Sequence, residues 1–186
     1  MEENTVTELR PGPGLPVTVG GIEFHFLFTW AVVDALQSRY QLSLWDVVQR
    51  LADPMTAYET GGRIITELIA DDIYRNGEGL IKPPTYEQVM HVIDMKQTDY
   101  MQERLLKAYG ISMPEKDEDD DDEEDPDEER DQINLARLLV IGKTKLGMTE
   151  DEFWTVTPRK YFHLFDEYIA LQGGQKTQEN SIDALP

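Results

Sequence analysis

Side chains able to do bond-making chemistry are few and scattered in this 186-residue sequence. His25, His91 and His163 are its only histidines, and none has a carboxylate or a second histidine at ligand spacing. His25 falls on the outward side of a strand pattern and His163 in the terminal helix pattern, so both read as surface or packing residues. No H-E-x-x-H, G-x-S-x-G, P-loop or G-x-G-x-x-G motif occurs. The absence of cysteine removes both a thiolate nucleophile and a disulfide framework. Asp71-Asp72 resembles a metal-binding pair only on paper. Adjacent helical positions do not converge, and a solvated helix end is the expectation. A long acidic run further on lacks the alternating ligand-and-turn pattern of a calcium loop and could gather divalent ions only diffusely. No catalytic, cofactor or metal site is expected, and no enzyme.

The concentrated chemistry is aromatic. Six aromatic side chains lie between Phe153 and Tyr168, in LGMTEDEFWTVTPRKYFHLF and the residues that follow. A segment of about 40 residues without disulfide or metal is near the lower limit for folding alone. Two short helices cannot enclose Tyr161, Phe162, Phe165 and Tyr168 as well as Trp154. The surplus rings must dock on the preceding domain or on another protein, and the length of the intervening segment favours another protein. Aromatic rings beside Arg159 and Lys160 have the composition of a contact hot spot. The expected partner-binding residues are Phe153, Trp154, Thr157, Pro158, Arg159, Tyr161, Phe162, Phe165 and Tyr168. Within this set Trp154 is expected to hold the module's core, so that Trp154→Ala unfolds it, while Tyr161 is expected to face outward.

The elements that must position these residues can be read from pattern. PVTVGGIEFHFLF alternates on either side of Gly20-Gly21, predicting a hairpin with a two-residue, positive-φ turn. Ile22, Phe24, Phe26 and Phe28 share one face that something must cover. Thr29 is a cap for WAVVDALQSRY, with Trp30, Val33 and Leu36 on its apolar stripe. Ser43 with Asp46 opens LWDVVQRLA, and Thr85 with Gln88 opens YEQVMHVIDM. Gly61-Gly62 is expected to interrupt the next helix, leaving a firm part from about Arg63 to Tyr74. Gly110 is expected to stop DYMQERLLKAYG. INLARLLVIGKTKLG predicts a helix ended by Gly147, Thr149 with Glu152 a capping box, and Thr157-Pro158 a helix start. Gly173-Gly174 is expected to end the last helix. The fold class is mainly α, with an N-terminal β-hairpin.

Charge divides the chain. Residues 115–131 carry 14 acidic and 2 basic side chains, against 16 and 9 in 1–114 and 7 and 6 in 132–186. Such a run repels itself and buries no apolar area, so it reads as an extended, solvated tether. The expected organisation is a disordered leader (1–15), an N-terminal domain (16–112), an acidic flexible linker (113–131), a C-terminal helical module (132–172) and a disordered tail (173–186). A formal charge of −20 gives no support to nucleic-acid binding through a basic face. No apolar run reaches the roughly 20 residues that span a bilayer. The acidic, Pro/Gly-rich start is unlike a secretory signal, so a cytoplasmic protein is expected.

Two regions together resemble the tail assembly chaperones of long-tailed bacteriophages. In PVTVGGIEFHFLFTWAVVDAL and PPTYEQVMHVID the matching positions are Gly20, Gly21, Phe28, Thr29, Thr85, Glu87 and Val89. LGMTEDEFWTVTPRKYF is similar to the C-terminal module of the longer chaperone form through Leu146, Gly147, Met148, Thr149, Glu152, Phe153, Trp154, Thr157, Pro158 and Arg159. Lys160 stands where that family often has an acidic residue. The resemblance implies an assembly factor absent from the finished virion and acting in the host cell cytoplasm. Its N-terminal domain would coat the tape measure protein, with self-association along it, and its C-terminal module would recruit the major tail tube protein. In that family the longer form often arises by ribosomal frameshifting. Neither a nucleic-acid nor a membrane partner is expected. The rival readings are an acidic mimic of nucleic acid and a generic acidic adaptor.

Overall fold

A computed structural model describes residues 14–77, 82–93, 98–115 and 131–182, with 173–182 as backbone only. The fold is mainly α with an N-terminal two-stranded antiparallel hairpin. Strand β1 (Leu15–Val19) pairs with β2 (Ile22–Phe26), and Val19 opposite Ile22 leaves Gly20-Gly21 as the turn. Both glycines have positive φ, 57° and 82°. That conformation costs glycine no Cβ clash and matches the twist of the strands it joins.

Val17, Val19, Phe26 and Phe28 are buried, whereas Ile22 at the hairpin tip is exposed. The covered face lies under helices: α3 (Ala57–Asn76) packs on β2, and α5 (Thr98–Ser112) on β1. Helix α1 (Trp30–Tyr40) begins at its predicted cap, Thr29, whose hydroxyl accepts from Val32 N–H. Helix α2 (Leu44–Gln49) is capped by Ser43, and α4 (Tyr86–Val92) by a complete Thr85/Gln88 box. After the acidic run come α6 (Leu135–Lys145), α7 (Glu150–Thr155) and α8 (Pro158–Ile182). The Thr149/Glu152 box is complete, and Pro158 is the first residue of α8. At the end of α6 the Met148 N–H reaches back to the Gly142 carbonyl across Gly147, whose φ is 66°. That is a left-handed helix stop of the kind the sequence predicts there.

Three glycine expectations fail, each for a physical reason. Helix α3 runs unbroken through Gly61-Gly62, where Gly62 serves as a packing notch: a Cβ on it would lie 2.1 Å from Met90 Sδ. Helix α5 continues through Gly110 to Ser112 and ends ahead of Pro114, which cannot extend it. The backbone of α8 passes Gly173-Gly174 and remains helical to Ile182, so the expected tail does not begin at 173. Glycine permits a stop without enforcing one. Residues 1–13, most of the leader, and 116–130, most of the linker, lie outside the described residues.

The buried core extends from Leu15 through Ala108 and also takes in Leu135, Phe153, Val156 and Tyr161. The helices after the acidic run therefore share a core with those before it.

Asp71 and Asp72 are buried, against the expectation of a solvated helix end. Asp71 accepts from the Thr29 hydroxyl at 2.7 Å and from Arg75 Nε, and Asn76 donates to Asp72 at 2.6 Å. Arg75 also donates to the His25 carbonyl at 2.9 Å, tying hairpin, α1 and α3 together. Burial is the leading influence on Asp71 and raises its pKa, opposed by the Arg75 charge and by the Thr29 and Arg75 hydrogen bonds.

Candidate partner-binding surface

The aromatic residues singled out in the sequence divide into a docked set and an open set. Trp30, at the first position of α1, is fully buried at the centre of the docked set. Its ring stacks on Phe153 at 6.1 Å and meets Tyr161 and Phe162 edge-on at 5.7 and 6.1 Å. Phe153 in turn meets Trp154 edge-on at 5.0 Å. Such pairs contribute about 0.5–1.5 kcal/mol each beyond area burial.

Main-chain contacts fix the register of this docking. The Trp30 backbone N–H donates to the Val156 carbonyl at 3.1 Å. Gln37, also buried, uses both ends of its amide on Ile133: Nε2 donates to the carbonyl at 3.2 Å, and Oε1 accepts from the N–H at 2.9 Å. At the rim Tyr74 donates to Asp151 at 3.3 Å. Arg159 donates to the Met113 and Gly110 carbonyls at 2.8 and 2.9 Å and to the Glu115 carboxylate at 2.9 Å. Those carbonyls sit at the C-terminal end of α5, where free acceptors and the helix dipole favour a cation.

This arrangement corrects the outward-facing role expected for part of the set. Phe153, Thr157, Pro158 and Tyr161 are buried, and Arg159 is occupied by α5. Tyr161 is 1 % exposed, and its hydroxyl donates to the Leu138 carbonyl at 2.7 Å. Its ring lies so close to α6 that a Cβ on Gly142 would be 3.3 Å away. The expected roles of Trp154 and Tyr161 are thus exchanged: Trp154 is half-buried, whereas Tyr161 is core. A partial burial of Lys160 lowers its pKa.

The open set lies further along α8. Tyr161, Phe165, Tyr168 and Ile169 recur at helical spacing on one stripe. Burial fades along that stripe: Tyr161 is sealed, Phe165 and Tyr168 are half-buried, and Ile169 is 53 % exposed. Leu171, on another face of α8, and Val140 on α6 are exposed as well. The apolar stripe outruns the core that covers its beginning.

Sequence reading missed Trp30, Gln37 and Tyr74 as docking residues. One signal was present: Gln37 lies seven residues after Trp30 on the inward stripe, where a polar side chain requires a buried hydrogen-bond partner. Nothing local identifies that partner, which is 96 residues away. Among the described residues no group of three or more His, Asp and Glu is placed to hold a metal ion, and no helix is long and apolar enough to cross a membrane. A cleft between α3 and α5, of about 320 Å³ with its open mouth, is lined by Leu51, Ile65, Met101 and Leu105 among others. Comparison with protein-family models, curated proteins and solved structures gives no match for this chain.

Proposed function

We propose that this protein is a tail assembly chaperone of a long-tailed bacteriophage, a binding protein that does no bond chemistry. The observation that carries a binding role is the α8 stripe, whose apolar residues Phe165, Tyr168 and Ile169 continue past the point where the fold covers them. An amphipathic helix face of this kind is a ready seat for an apolar face of another protein. The family reading rests on the sequence resemblance, and the hairpin-plus-helices fold is compatible with it.

In this reading the protein shields the long apolar helices of the tape measure protein and brings tail tube subunits to them. The tube subunit meets the open end of α8, not the sealed Phe153–Tyr161 cluster. The acidic run 115–131 keeps neighbouring copies apart by repulsion, and it lets two weakly bound partners share one carrier at raised effective concentration. The host cytoplasm is where such assembly takes place.

The test is co-purification of the full chain with the candidate tape measure and tube proteins from cells expressing all three. Phe165→Ser with Ile169→Glu should abolish tube capture while circular dichroism shows the fold intact. Retention of tube protein by that variant, or failure of the native chain to hold either tail protein, refutes the assignment. An acidic mimic would instead bind a DNA-processing enzyme and lose it on deletion of residues 117–129.

A further inference from the structure

We propose that the C-terminal segment from Asp131 to Phe165 is a releasable strap over α1, covering a seat that otherwise accepts an apolar helix of a partner protein. The inference deepens the chaperone reading and rests on it only for the identity of that partner.

The first argument is the unequal division of the core. From the strap, Leu135, Phe153, Val156 and Tyr161 are buried members of it and seven further apolar side chains pack half-buried against it, whereas β1 through α5 supply all the other buried members. The N-terminal elements therefore keep most of their mutual packing when the strap leaves. The strap, with four such residues, has no comparable core of its own.

The second argument is how the strap is recognised. Gln37 holds the main chain of Ile133 through two hydrogen bonds, and the Trp30 N–H holds the main chain of Val156. Neither contact reads a side chain. Any extended residue followed by a helix with aromatic side chains could occupy the same seat. The side-chain component is ring packing around Trp30, which tolerates exchange of one apolar ligand for another, with Arg159 and Asp151 adding polar contacts only at the rim.

Third, among the described residues no acceptor reaches the buried Trp30 indole N–H. A buried donor with no partner is a standing penalty, and a ligand that offers an acceptor there gains over the strap. Finally, the strap joins the rest of the chain through residues 116–130, which carry 12 acidic and 2 basic side chains. Like charges at this density repel one another.

The test uses a fluorescent synthetic peptide of residues 131–172 as the competing ligand, titrated into full-length chains. A closed strap lowers apparent affinity by the fraction of molecules that are open. For opening in about 1 % of molecules, loosening the strap with Phe153→Ala and Arg159→Gln should tighten peptide binding by up to about 100-fold over wild type. Arg159→Gln alone, which removes only rim contacts, should tighten it by a few-fold. Adding Gln37→Ala to the loosened chain should weaken binding again, because the seat has lost its main-chain clamp. Hydrogen exchange should show α1–α5 still protected in the loosened chain. Equal affinity for wild-type and loosened chains overturns the strap, as does an absence of binding to the loosened chain. Loss of α1–α5 protection on loosening overturns it too, by making the segment integral core. The titration contains no tail protein, so its failure leaves the assembly reading to its own co-purification test.

Discussion

Two adjacent glycines in α3 should respond in opposite directions to the same substitution. At Gly61 an added Cβ would meet Leu51 and Leu105 at 3.7 and 3.8 Å, ordinary van der Waals contact. Gly61→Ala thus gains helix propensity without strain and should stabilise by about 0.5–1 kcal/mol. At Gly62 the same Cβ would meet Met90 Sδ at 2.1 Å and Tyr86 Cε2 at 3.2 Å. Met90 has to leave its place between α4 and α3, and the Tyr86 ring has to move away while stacked under Arg63, whose Cζ lies 4.2 Å from its centroid. Overpacking of this kind costs about 1–3 kcal/mol. Set against the same propensity gain of about 1 kcal/mol, Gly62→Ala should be destabilising by up to about 2 kcal/mol. For a chain of this length each kcal/mol moves Tm by about 2–4 °C, so Gly61→Ala should raise Tm by about 1–4 °C and Gly62→Ala lower it by as much as about 8 °C. A Met90→Ala background removes the clashing sulfur, and there Gly62→Ala should become neutral or stabilising. The coupling between positions 62 and 90, from urea unfolding of the four chains, should be about 1–3 kcal/mol. If both glycine substitutions shift stability alike, or the coupling is absent, the notch between α3 and α4 does not exist as described.

Further outcomes follow from the docked strap and the buried carboxylate. Tyr161→Phe keeps the ring against Trp30 but removes the hydrogen bond to Leu138, so it should cost about 0.5–1.5 kcal/mol by chemical denaturation; no change would place that hydroxyl in solvent. Asp71 has a raised pKa in the folded protein, so above the ordinary aspartate value of about 3.9 the folded state holds this proton more firmly than the unfolded chain. The contribution of Asp71 to stability therefore falls as pH rises through the window that opens there. Compared with Asp71→Asn, the native chain should lose relative stability between acidic and neutral pH in paired urea titrations. A difference of the opposite sign would mean that the Arg75 contact outweighs burial.

Local signals in this sequence determined local structure. Gly20-Gly21 can hold the positive φ of a two-residue hairpin turn, and an alternating pattern on each side sets the register whatever lies beyond. Thr29, Ser43, Thr85 and Thr149 are caps because their hydroxyl groups reach backbone N–H groups three residues on. Thr157-Pro158 starts a helix because proline has no N–H to leave unsatisfied. Each of these signals involves atoms within a few residues, so the elements and the mainly α class were legible. Gly62 was misread for the complementary reason: a glycine that admits a neighbouring helix looks in sequence like one that ends its own.

Only the tertiary structure decided where the aromatic cluster goes. The sequence required Tyr161 and Phe162 to dock somewhere and left open whether the cover was internal. Trp30, more than 120 residues earlier in the chain, supplies that cover. Asp71 is likewise met by Thr29, 42 residues earlier in the chain, only once α1 and α3 pack together. Periodicity specifies which face of a helix is apolar. The neighbour that covers that face is chosen by the packing of the whole chain, because apolar attraction has no direction and carries no record of its partner.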